Sequence, residues 1–193
     1  MAGVAIALLC GMYLEEEQAA LTEQVIRLHV IANSDTPEDQ QLKLAVRDRV
    51  LECAAQLYQP GNDLEQVRQN IEENLHRMAA VGYDAVQEQG YDYAVSASLE
   101  RTWFPTKTYS DFALPAGYYT ALRIVIGEGN GQNWWCVAFP PLCVGSASRT
   151  VDEVAAAGLF RSDDAALITG ENQGYVIKFK ALEWWAMIKK IMG

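Results

Sequence analysis

Basic residues are few: 15 Lys and Arg stand against 25 Asp and Glu, a formal net charge of −10. A surface of that sign repels phosphate backbones, so a nucleic-acid-binding role is set aside. Histidine is scarcer still, with only His29 and His76, and no Cys-x-x-Cys spacing accompanies them. A structural zinc site therefore lacks its donors, and neither a metal nor another cofactor is expected. The chain has no Gly-x-Ser-x-Gly elbow, no His-Glu-x-x-His helix and no paired-carboxylate motif, so no residue is assigned a catalytic role. It also lacks internal repeats, low-complexity tracts and any apolar run of the roughly 20 residues that span a bilayer. What is present is ordinary for a folded domain: 193 residues, half of them hydrophobic and 21% charged, enough to bury one core.

The uncharged stretch Met1 to Leu14 ends abruptly at Glu15-Glu16-Glu17. Its length suits the apolar region of an export signal and falls short of a membrane span. It carries no basic side chain, so an N-terminal core helix is the other reading. Residues 1–23 are taken as an export segment with an acidic linker, and residues 24–193 as a single domain. At the far end, Ala181 to Gly193 places Trp184, Met187, Ile188 and Ile191 on one helical face with Lys189 and Lys190 in the last turn. That pattern fits a C-terminal helix packed on the domain, with peripheral membrane contact as the alternative.

Between these ends the hydrophobic period switches between two and 3.6. Gln24 to Ala32 reads as a strand with one face more buried than the other. Thr36-Pro37 with Asp39 opens a helix carrying Leu42, Val46, Val50, Cys53 and Leu57. Asn62 with Glu65 caps a second helix carrying Leu64, Val67, Ile71, Leu75 and Met78, which together with the first makes a helical hairpin. Tyr91, Tyr93, Val95, Ala97 and Leu99 alternate with polar residues in a half-buried strand. Thr120 to Ile126 and Trp134 to Phe139 flank Gly127 to Gln132 as a β-hairpin. Thr150 with Glu153 opens a short helix, and Tyr175, Ile177 and Phe179 mark a last strand. The expected fold is α+β, with a largely antiparallel sheet, the helical hairpin packed on it and a C-terminal helix.

Gly127 to Gly131 is followed by a strand and not by a helix, which argues against a phosphate cradle. Cys136 and Cys143 flank a Pro-Pro corner, and two readings stay open: a disulfide, if the domain is exported, or a pair of buried thiols. A hydrolase using one of these cysteines with His29 is the alternative function. Several non-helical segments mix aromatic, proline and polar residues, the composition of a recognition surface. On residue type, Asn33, Asp35, Lys107, Tyr109 and Trp134 are the expected partner-binding residues.

VIRLHVIANSD (Val25 to Asp35), LKLAVRDRVL (Leu42 to Leu51), FPTKTYS (Phe104 to Ser110) and LPAGYYTALRIVIGEGNGQNWWCVAFPPLC (Leu114 to Cys143) resemble, in that order, the stage II sporulation protein R family of endospore-forming bacteria. Ser110 departs from the glycine more usual there. The resemblance implies a signalling protein and not an enzyme. It would be exported from the forespore into the space between forespore and mother-cell membranes, secreted or held by its N-terminus. There it would activate the membrane-embedded sigma-E factor-processing peptidase, a stage II sporulation protein GA-like partner, and so trigger pro-sigma-E cleavage during sporulation.

Overall fold

The computed structural model describes residues 22–58, 63–108, 113–140 and 142. The centre of the sheet is β1 (Ile26–Ile31), in which every residue is buried. Both faces are covered, so the expectation of one barer face is corrected. Ile26, Leu28 and Val30 face the helices. Arg27 is fully buried on the other face, its guanidinium stacked over the rings of Phe104 (4.4 Å) and Tyr119 (5.0 Å). Stacking on aromatic faces lets an arginine occupy a position that alternation alone would give to solvent.

Helix α1 (Pro37–Ala55) starts where Thr36 accepts a bond from the Asp39 amide, with proline in the first turn. It buries Leu42, Val46, Val50 and Cys53 and ends at Gln56, before Leu57. The next helical stretch is two helices, α2 (Leu64–Glu73) and α3 (Leu75–Glu88). The cap of α2 is Asp63 in a reciprocal pair with Gln66, one residue on from the expected Asn62 and Glu65. Glu65 is engaged by Arg68 at 2.7 Å instead. Asn74 makes the break: its side-chain amide donates to the Asn70 carbonyl at 2.8 Å, competing with the helix for its own acceptor. The hairpin is thus three helices, with α3 lying against α1. Gly82 permits that approach, since a Cβ there would meet Val95 at 3.0 Å and Val46 at 3.4 Å.

Strand β2 (Val95–Phe104) leads to a two-stranded excursion, β3 (Lys107–Thr108) with β4 (Ala113–Leu114), and then to β5 (Gly117–Ile126) and β6 (Asn133–Phe139). The main sheet has the order β2-β5-β1-β6. β5 runs parallel to β1, whereas β2 with β5 and β1 with β6 are antiparallel. The fold is α+β in a single domain, as expected, but the β5–β6 hairpin is not formed. β1 lies between its two arms and pairs with both. The loop from Gly127 to Gln132 crosses the end of β1 and bonds to its exit: the Gly131 amide donates to Ala32 O (2.9 Å) and the Asn130 amide to Asn33 O (3.1 Å). The expected C-terminal helix, the short helix after Thr150, the strand at Tyr175 to Phe179 and the export segment lie outside the described residues.

Candidate functional site

Residues Asn33 to Asp39 close the exit of β1 into a polar latch. Asn33 Oδ1 accepts from the Glu128 amide (3.0 Å), while its Nδ2 donates to Asp39 (2.8 Å). Asp35 accepts from the Gln132 amide (2.7 Å), and Ser34 donates to Asp39 (2.6 Å). Lys43, buried on α1, donates to the Gln132 carbonyl at 3.0 Å and to Gln40. Burial pushes the Asp39 carboxyl upward, but hydrogen bonds from Ser34, Asn33 and Tyr93 outweigh it and hold the group below the ordinary carboxylate range. Burial draws Lys43 down, opposed by Asp35 and reinforced by Arg47. Asn33 and Asp35 therefore spend their side-chain bonds on the loop that carries the chain from β5 to β6.

Trp134, the second residue of β6, lies beside this latch and is more than a third exposed. Arg47 from α1 lies 4.4 Å over its ring, a cation–π contact that fixes the indole against the helix. Asn33, Asp35 and Trp134 thus share one end of the sheet. Lys107 is exposed at the other end, past the Phe104–Gly117 pair that closes the β2–β5 ladder. Trp134 is level with Ile124 through Val30, so roughly 20 Å of strand separates the two groups. Tyr109 and Cys143 lie outside the described residues.

At the Lys107 end, Trp103 and Tyr118 face each other across β2 and β5, and they are 50% and 58% exposed, the largest values among the large hydrophobics described. Arg101 stands two residues before Trp103 on the same face and pairs with Glu23 at 3.0 Å. None of Arg101, Trp103 and Tyr118 is among the partner-binding residues expected from residue type. The alternation of β2, carried on past Leu99, is the signal that could have found Arg101 and Trp103.

Behind the sheet, His29 sits among Phe104 and Trp135 and bonds Asn133 through Nε2 (2.7 Å), while its Nδ1 has no hydrogen-bond partner among the described residues. Burial lowers its pKa, opposed by the Asn133 bond, with Arg123 lowering it further and Glu100 raising it. Cys136 pairs in register with Leu28 and belongs to the helix-side core, so it lies on the opposite face from His29. The Cys136–His29 form of the alternative hydrolase reading is therefore not assembled. Cys136 is disulfide-bonded and Cys53 is a free, buried thiol. Among the described residues no cluster of His, Cys, Asp and Glu could hold a metal ion, and no helix is long and apolar enough to cross a membrane.

Comparison with known proteins follows the described domain closely. The family model for stage II sporulation protein R matches residues 22–149. Stage II sporulation protein R of Bacillus subtilis (strain 168) is 37% identical over 129 residues, which cover 67% of this chain and 58% of that protein. The chain thus aligns with less than two thirds of the relative's length. No solved structure matches it.

Proposed function

The chain belongs to the stage II sporulation protein R family, and from that premise we propose that it is an exported activating ligand of the membrane-embedded sigma-E factor-processing peptidase. The family match to residues 22–149 carries this reading, because it spans the sheet, its helices and both surfaces described above. The ligand leaves the forespore, meets the peptidase in the space between the two membranes, and binds its active state better than its inactive one. Only such differential binding shifts the equilibrium toward activity. No bond is made or broken by the ligand itself. A disulfide at Cys136 supports work outside the reducing cytosol. The separation of Cys136 from His29 counts against a hydrolase built on that pair. Asn33, Asp35, Lys107, Tyr109 and Trp134 are assigned to partner contact, with Asn33 and Asp35 acting through the loop they hold.

The test is reconstitution in a non-sporulating host that carries the cognate peptidase and pro-sigma-E. Processing is expected only when this chain is both present and exported. Full processing with export blocked, or none with folded protein outside the cell, overturns the reading.

A further inference from the structure

The Gly127 amide donates to the Ala94 carbonyl at 2.8 Å, continuing the β2–β5 register in which Val95 faces Ile126. Ala94 and Gly127 are therefore a hydrogen-bonded pair, and in an antiparallel ladder such pairs alternate with pairs that bond outward. Ser96, Ser98, Glu100 and Thr102 consequently spend their backbone groups on β5. Val95, Ala97, Leu99, Arg101 and Trp103 direct theirs to the outer edge of β2, where no described strand pairs with them. The same alternation makes Trp103 and Tyr118 a non-hydrogen-bonded pair, the kind in which side chains lie closest. An open strand of this length presents a template for another chain.

We propose that the outer edge of β2 is a strand-addition site for an extended segment of a protein partner, anchored on Arg101, Trp103 and Tyr118. Residues opposite one another in a ladder share a face. An added strand therefore sets alternate side chains beside Leu99, Arg101 and Trp103, and charge complementarity asks for the order apolar, acidic, apolar. Its intervening residues lie beside Ser98, Glu100 and Thr102, where small neutral polar groups fit and a carboxylate would be repelled. The Arg101–Glu23 pair is mostly exposed, so exchange of Glu23 for a partner's carboxylate costs little. A second copy is a poorer occupant. Two β2 strands related by a two-fold axis oppose residues of one face, which sets Ala97, Leu99, Arg101 or Trp103 against Arg101 and never the carboxylate of Glu100. The identity of the partner as the processing peptidase rests on the activating reading, while the edge itself does not.

Two measurements separate these claims. With the full chain, the peptide TVTETVT is expected to slow amide exchange at Ala97, Leu99, Arg101 and Trp103 at least tenfold, and TVTKTVT to bind at least tenfold more weakly. In the reconstituted host, Arg101→Pro, which removes an outward N–H, and the double change Trp103→Ser with Tyr118→Ser are each expected to cut processing at least tenfold, with Arg101→Ala in between. Edge amides unmoved by TVTETVT, or equal protection by both peptides, overturn the proposal. Full processing by the folded variants overturns it too and leaves the activating reading standing. Edge protection by TVTETVT in a chain that elicits no processing supports strand addition and sinks the activating reading.

Discussion

Asn33 shows how much one side chain can decide. It holds the Glu128 amide and the Asp39 carboxylate together, while its own carbonyl takes the Asn130 amide. Asn33→Ala removes both side-chain bonds and is expected to cost about 1–2 kcal/mol in a urea titration. Asn33→Asp should cost more, since it sets a second carboxylate against Asp39. His29 gives a prediction with a sign. Its folded pKa lies below the ordinary 6.5, chiefly because burial disfavours the charged ring, and a proton on Nδ1 would find no described acceptor. The unfolded chain therefore binds more protons in the window just below pH 6.5, so stability rises with pH there and falls on acidification. Thermal melts from pH 7 to 5 should show that slope, and His29→Gln should flatten it. Asp39 acts in a separate, lower window: its folded pKa is depressed, so its contribution is lost as pH falls below the carboxylate range.

At the scale of the element, the decisive feature is the seat of β1 between β5 and β6. Gly131 makes this crossing feasible, because a Cβ there would lie 2.2 Å from the Ser34 carbonyl oxygen. Gly131→Ala must push the loop off the β1 exit, with an expected loss of about 1–3 kcal/mol and faster exchange at the Asn130 and Gly131 amides. The strands flanking this loop were legible from their apolar runs, and α1 from its cap and stripe. Their pairing was not, because a glycine-rich loop of this length can join adjacent strands or step over one. The break at Asn74 was hidden for a similar reason. The apolar stripe runs through it unbroken, and only the side-chain bond to Asn70 shows that the backbone changes course.

For the whole molecule, the disulfide at Cys136 and the helix-side core are the same region, so cross-link and packing act together. Cys136→Ser is expected to lose about 2–4 kcal/mol, measured as a lower unfolding midpoint in the absence of reductant, while a folded fraction should still drive processing. Loss of signalling by well-folded Cys136→Ser protein would revive chemistry at that sulfur. By itself the sequence determined the family, the α+β class, the capped helix α1 and the alternation of β2, because motifs, caps and hydrophobic periods are local and survive being read one residue at a time. Only the tertiary structure decided that Arg27 is buried between aromatic rings, that Cys136 and His29 face apart, and that Asn33 and Asp35 stand a sheet's length from Lys107. These depend on which strand lies beside which, and strand order is fixed by contacts between residues distant in the chain, with backbone hydrogen bonds that carry no side-chain signature.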